Sequence, residues 1–209
     1  MGKSKVERVL CGSVGTNCYF LINTQTQETV IIDPADDAPM LSAKLKEKNL
    51  KPAAILLTHG HYDHIMAVEE LRKEYGIPVI AHEEEKQILE NPKGNLSTMI
   101  GMPFTVKADR FVKDEELLVT AGFSIRVLHT PGHTIGGCCY YLADENLLFS
   151  GDTLFWESVG RTDFPTGSMS ALVRSIKEKL MVLPESTRVY PGHMGSTSIE
   201  NEKQNNPFL

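Results

Sequence analysis

Apolar residues along the chain first recur in short runs of strand length. Val6–Leu10, Cys18–Ile22 and Thr29–Ile32 are rich in β-branched and aromatic residues, and the turn-forming stretch Asn23–Gln27 makes the second and third a hairpin. From Met40 the spacing turns helical, with Met40, Leu41 and Leu45 on one face of a helix over Met40–Lys48. Strand and helix then alternate: strand Ala53–Leu57, helix Ile65–Tyr75, strand Pro78–Ala81, helix Glu83–Leu89. Asn91–Ala108 has no period and is broken by Pro92, Gly94, Gly101 and Pro103. A loop of that length in a compact chain usually has a task, such as covering a site. Strands return at Leu117–Val119, Phe123–Leu128, Cys138–Leu142 and Leu147–Phe149. A helix over Ser168–Leu180, capped by Ser168, and a strand Arg188–Tyr190 follow. No compositional shift marks a linker, so a single domain over residues 1–209 is expected.

One local pattern occurs twice. Thr130-Pro131-Gly132-His133 and Tyr190-Pro191-Gly192-His193 each follow an apolar, β-branched strand. Pro followed by Gly suits a type II turn, with Pro presetting φ and Gly supplying a positive one. Each turn delivers a histidine just beyond a strand end, and the two halves of the chain are expected to be related units.

The densest chemistry lies in Thr58-His59-Gly60-His61-Tyr62-Asp63-His64, between the strand Ala53–Leu57 and a helix. His133, Asp152 (in Ser150-Gly151-Asp152) and His193 occupy the same context after three other strands. Ligands collect at the carboxyl ends of strands in α/β architectures, so four strand ends can converge on one site. Five histidines and two aspartates suit zinc, iron or manganese. No cysteine shares the pattern, which argues against a closed thiolate site. Seven donors exceed one tetrahedral ion and fit two ions that share a carboxylate and keep positions open for water and substrate. His82, opening an acidic helix, is expected to be exposed. His129 reads as a strand-end filler or a donor behind the ligands.

Composition narrows the class. With 41% apolar residues and a net charge of −6, the chain has material for a core and is not disordered. The excess of 27 acids over 21 bases offers no overall basic face for nucleic acid. No apolar run approaches a bilayer span, and the first residues lack an apolar signal region, so a cytoplasmic location without membrane contact is expected. Cys11, Cys18, Cys138 and Cys139 form no CxxC and read as reduced thiols; adjacent Cys138 and Cys139 point to opposite faces of their strand.

The string His59-x-His61-x-Asp63-His64, with His133, Asp152 and His193, resembles the metallo-β-lactamase superfamily along the whole chain. The resemblance implies an α/β fold, a four-layer αβ/βα sandwich of two mixed sheets flanked by helices, with metals at one edge. It implies that His59, His61 and His133 hold one ion, that Asp63, His64 and His193 hold the other, and that Asp152 bridges them. Asp33 matches a family aspartate supporting the ligand loop, and is otherwise a turn residue. Within the family the match is to the glyoxalase II-like branch, because a bridging Asp152 and His64 are typical there. Ser150-Gly151-Asp152-Thr153-Leu154-Phe155, Gly160-Arg161-Thr162-Asp163-Phe164 and the ending Asn206-Pro207-Phe208-Leu209 are similar to short single-domain bacterial hydrolases of that branch. Glyoxalase II proper carries a further helical domain that helps bind glutathione. The sequence continues only about sixteen residues past His193, which puts glutathione in doubt as the thiol.

The resemblance therefore implies a metal-dependent hydrolase acting on a small-molecule thioester, hydroxyacylglutathione or a relative. A hydroxide shared by two divalent ions, zinc foremost and iron or manganese also accepted, would be the nucleophile. Asp63 would ligate and orient it. Arg161 either pairs with Asp163 or meets a substrate carboxylate. Iron-dependent persulfide dioxygenases share the Gly-Arg-Thr-Asp-Phe string. A mononuclear iron site built on His59, His133 and Asp152 is the rival function. Oligomeric state is open.

Overall fold

The computed structural model describes residues 3–209. Its first sheet contains, in spatial order, β1 (Ser4–Cys11), β2 (Thr16–Asn23), β3 (Glu28–Ile32), β4 (Lys51–Leu56), β5 (Val79–His82) and β6 (Arg110–Val112). The second is built from β7 (Leu117–Thr120), β8 (Phe123–His129), β9 (Cys138–Leu142) and β10 (Leu147–Gly151). A ribbon of β11 (Leu154–Phe155) and β12 (Ser158–Val159) stands beside it, and β13 (Arg188–Pro191) and β14 (Thr197–Ser198) complete it. Spatial order in the second sheet is β14-β13-β10-β9-β8-β7.

The halves repeat one topology. β1, β2 and β3 run antiparallel and β4 joins β3 in parallel; β8, β9 and β10 run antiparallel and β13 joins β10 in parallel. Asp33 after β3 thus occupies the place of Asp152 after β10, and the His59–His64 segment after β4 that of His193 after β13.

Alternating side chains build three apolar layers. Tyr19, Leu21, Val30, Ile32 and Leu56 of the first sheet meet Phe123, Ile125, Val127, Tyr140 and Phe149 of the second. On the other face of the first sheet, Phe20, Ile31 and Ile55 pack against Leu41 and Leu45 of α1 (Ala38–Glu47). Val68 and Leu71 join them from beyond α2 (Tyr62–Ile65), on α3 (Val68–Tyr75). Beyond α4 (Lys86–Leu89), the second sheet's outer face is covered by Leu172 of α5 (Met169–Ser175) and Ile199 of α6 (Ile199–Asn205). The αβ/βα sandwich is the architecture expected. Cys138 and Cys139 fall in different layers, and all four cysteines are buried free thiols.

Several local expectations need correction. Ile65–Tyr75 is not one helix: Met66 and Ala67 donate their N–H groups to Ala35 and Pro34, so the chain breaks between α2 and α3. Glu83–Leu89 begins as a 3₁₀ turn before α4. The Ser168 cap is made, its Oγ accepting from Ala171 N at 3.3 Å, but the helix widens into a π turn over Ile176–Leu180. His82 is buried, only 3% exposed, because its ring stacks on His129 at 4.0 Å. Gly132 has the positive φ of 140°. Gly192 does not. Among the described residues, no helix is long and apolar enough to cross a membrane.

Candidate metal centre

β4 ends at Leu56, and the loop that follows is fixed by one buried carboxylate. Asp33 Oδ1 accepts from Thr58 N at 2.8 Å, while Oδ2 accepts from Thr58 Oγ1 at 2.5 Å and from His64 Nδ1 at 3.0 Å. These bonds set the imidazole tautomers. Thr58 gives its proton to Asp33, so its oxygen accepts from His59 Nδ1 at 3.1 Å. His64 gives its Nδ1 proton to Asp33 directly, and His133 gives its own to the Arg161 carbonyl at 2.7 Å. The Nε2 atoms of His59 and His133 are thereby left as lone pairs, and His64 Nε2 offers one when a cation displaces the proton that the surrounding carboxylates favour there. Histidine ligands are oriented in this way by a carboxylate or carbonyl behind them. Asp33 is therefore the support residue expected, and it also turns the chain with φ 48°.

The lone pairs converge with the carboxylates. Donor atoms of His59, His61 and His133 lie within 4.8 Å of one another, and so do those of Asp63, His64 and His193. His61 Nδ1 stands 2.9 Å from His133 Nε2. Asp152 lies between the two triads, with Oδ1 3.5 Å from His64 Nε2 and Oδ2 3.5 Å from both His133 Nε2 and His193 Nε2. Asp63 Oδ2 is 3.3 Å from His193 Nε2 and accepts from Thr16 Oγ1 at 3.0 Å. Asp33 also groups with His59 and His64, but its oxygens are already occupied by Thr58 and the His64 Nδ1 proton.

Buried polar atoms without partners are costly, and this site concentrates them. His59 Nε2, His61 Nε2, His64 Nε2 and Asp152 Oδ1 have none among the described residues. Burial, reinforced by neighbouring imidazoles, keeps His59 and His61 well below the usual histidine range, so both are neutral donors. Burial also opposes charge on His64, yet Asp63, Asp152 and Asp33 outweigh it and lift that ring to about 10. Burial would raise Asp63; His64, His193 and Thr16 prevail and hold it well below the carboxylate range. Neutral imidazoles, ionised carboxylates and a point that attracts positive charge together fit divalent cations.

Space is fixed as tightly as charge. A Cβ on Gly192 would lie 2.2 Å from Asp152 Oδ1 and 2.7 Å from His64 Cε1, which is why the second Pro-Gly turn needs glycine. Glu85 holds two ligand loops together, accepting from Gly60 N at 2.7 Å and from Thr134 Oγ1 and Gly136 N at 2.9 Å each. Sequence reasoning missed Glu85, hidden in the run Glu83-Glu84-Glu85, and Thr16 at the start of β2. Thr58 was visible only as the first residue of the histidine string.

All seven predicted donors are thus brought together. Arg161 is not aimed at them: its guanidinium forms a two-point pair with Asp163 (2.7 and 2.6 Å) and lies 4.0 Å from the Phe164 ring. His82 and His129 sit apart, stacked on each other. Five of the donors, His61, Asp63, His133, Asp152 and His193, line a cavity of about 370 Å³ that is also lined by Val14 of the 12–15 turn and by Leu96, Met99 and Ile100 of the 91–108 loop.

A family model for the metallo-beta-lactamase superfamily matches residues 11–193, and the chain belongs to that superfamily. It is 41% identical over 207 residues to a probable metallo-hydrolase, YqgX, of Bacillus subtilis, covering 98% of this chain and 97% of the relative. It is 35% identical to hydroxyacylglutathione hydrolase GloC of Haemophilus influenzae, covering 92% of each. Among solved structures, BLEG-1 B3 metallo-beta-lactamase matches with TM-score 0.93 and 43% identity over 98% of this chain and 99% of that one. TTHA1623 in a di-iron-bound form matches with TM-score 0.87 and 35% identity over 97% and 100%. The chain is a metallo-hydrolase of this superfamily.

Proposed function

We propose that the protein is a binuclear metal-dependent hydrolase that cleaves a small acyl thioester to a carboxylic acid and a thiol. The observation that carries the reading is the Asp152 carboxylate, one oxygen toward His64 and the other toward His133 and His193. His59, His61 and His133 would hold one ion, Asp63, His64 and His193 the other, and Asp152 would serve both. Zinc is the proposed ion, with iron and manganese accepted by the same nitrogen and oxygen donors. Bound there, two such ions would supply Lewis acidity, lowering the pKa of a water and stabilising developing negative charge on oxygen and sulfur.

The chain's own groups do the rest. Asp63 stays ionised and accepts a hydrogen bond from the attacking water, while Thr16 fixes its rotamer. Asp33 and the Arg161 carbonyl hold the imidazoles in the tautomers that expose Nε2. Asp33, Asp63 and Asp152 offset most of the charge of two divalent ions, so no large uncompensated charge is buried. A mononuclear dioxygenase using only His59, His133 and Asp152 leaves the convergence of Asp63, His64 and His193 without a task. The GloC relationship supports the thioester, and the BLEG-1 relationship makes a β-lactam the second substrate to assay.

The test pairs thiol release from S-lactoylglutathione with oxygen uptake on glutathione persulfide, using zinc-, iron- and manganese-loaded protein. Thioester hydrolysis without oxygen consumption, two metal equivalents per chain and loss of more than one equivalent in Asp152→Ala are expected. Oxygen uptake with no thiol release, or full activity with one ion and an indifferent His193→Ala, overturns the proposal.

A further inference from the structure

The mouth of the cavity differs in chemistry from its floor. Leu96, Met99 and Ile100 of the 91–108 loop face it from one side, and Val14 of the β1–β2 turn and Phe164 line it as well. Met99 is 68% exposed, Val14 50% and Ile100 37%. Single exposed apolar side chains are ordinary, but several around one opening form a patch of the kind that marks a binding site.

The loop presenting them is held firmly. Asn95 is fully buried, donates from Nδ2 to the Phe104 carbonyl at 2.8 Å and accepts at Oδ1 from Ser97 N at 2.9 Å. Its own carbonyl accepts from Tyr62 N at 2.8 Å, and Val106 N donates to the Leu89 carbonyl at 3.1 Å. Tyr62 lies between His61 and Asp63, so the loop is tied directly to the ligand segment. Its apolar tip is presented on a fixed base rather than left by a disordered excursion.

Charge at the mouth is sparse. Among the described residues lining the cavity, Arg161 is the one Lys or Arg, and its guanidinium is taken up by Asp163 and Phe164. A thiol bearing carboxylates, as glutathione does, finds no unpaired cation here to offset its desolvation.

We infer that the arm of the substrate reaching out of the site is apolar and uncharged, so that the enzyme selects aliphatic thioesters over those of glutathione. The inference rests on the thioester reading above and adds the substrate class. Transferring each methylene from water to the lip formed by Val14, Met99 and Ile100 lowers the barrier wherever the contact is kept in the transition state.

The experiment uses two series of thioesters with the metal-loaded protein. In one the acyl chain grows from acetyl to hexanoyl on N-acetylcysteamine; in the other the acetyl group is fixed and the thiol grows by the same steps. Lactoyl thioesters of glutathione and of N-acetylcysteamine are run beside them. Expected is a rise in kcat/KM of roughly twofold to fourfold per methylene in one series, which identifies the arm that meets the lip. The lactoyl ester of N-acetylcysteamine should match or exceed that of glutathione in kcat/KM. Met99→Ser combined with Ile100→Ser, checked for unchanged metal content, should flatten the rising series. A flat or falling profile in both series overturns the inference, as does a higher kcat/KM on the glutathione ester or an unchanged slope in the double variant. If neither series nor lactoylglutathione is hydrolysed, the thioester reading fails and this inference falls with it.

Discussion

Replacing Glu85 with glutamine removes a charge at nearly constant shape from the residue that joins two ligand loops. Its carboxylate is buried and meets three donors, Gly60 N, Thr134 Oγ1 and Gly136 N. Burial raises its pKa and the three hydrogen bonds pull it back, leaving it at about 7 against an ordinary 4.5. At about 1.4 kcal/mol per pKa unit, that difference amounts to about 3 kcal/mol. The sign follows from proton binding. Between pH 4.5 and 7 the folded protein holds a proton on Glu85 that the unfolded chain has released, so this residue's contribution to stability falls as pH rises through that window. The protonated acid also fits: its O–H turns to the Thr134 hydroxyl while both oxygens still accept backbone N–H groups. The glutamine amide cannot do the same, because its NH₂ faces either Gly60 N or Gly136 N, at a cost of about 1–3 kcal/mol. Denaturant unfolding of wild type and Glu85→Gln between pH 4.5 and 8 isolates this effect, because ligand histidines titrate in both and cancel in the difference. Wild type should exceed the variant most at pH 4.5 and lose about 3 kcal/mol of that advantage by pH 7. A difference independent of pH would refute the assignment of Glu85 as a buried group that is protonated in mild acid.

Two further substitutions probe the site's construction. Gly192→Ala places a methyl against Asp152 and His64; circular dichroism should stay unchanged while kcat/KM falls by about a hundredfold, as displacement of a reacting group by an ångström would cause. Activity near wild type would show that the Asp152 carboxylate has room to move. Asp33→Asn puts an amide where three donors now point, so His64 must carry its proton on Nε2. Metal affinity measured against a competing chelator should drop by about tenfold to a hundredfold, and an unchanged affinity would remove Asp33 from its supporting role.

Much of the architecture was legible because its information is local. The strands around Cys18–Ile22, Phe123–Leu128 and Cys138–Leu142 announce themselves by runs of strand-forming residues, and Pro-Gly pairs mark the ends of β8 and β13. The short elements carry no such signal. β6 has three residues and β11, β12 and β14 have two each, too few for an alternation to show. α6 is mostly polar and buries Ile199 and Glu202. Its Ser198 cap, accepting from Asn201 N at 3.1 Å, was the cue available. His82 was misplaced for a related reason. Its acidic neighbours on the chain suggested solvent, whereas its burial comes from His129, 47 positions away in sequence and in the other sheet.

The same division runs through the candidate site. The seven donors were readable because each lies within a few residues of a strand end, in a short glycine-containing turn or, for Asp63 and His64, in the helical turn that follows it, so residue type and position coincide. The groups that make those donors useful act across the fold. Asp33 reaches His64 over 31 positions, Glu85 reaches Gly136 over 51, and Thr16 reaches Asp63 over 47. Nothing in the residues flanking Glu85 or Thr16 distinguishes them from a surface acid or a turn hydroxyl. Their role exists only once the fold brings distant segments of the chain together. The topological repeat supplies the missing rule for one of them. Asp33 stands after β3 where Asp152 stands after β10, so the repeat places a carboxylate at both strand ends. In the second half that carboxylate faces the donors directly; in the first it stands one step behind them, orienting His64 directly and His59 through Thr58.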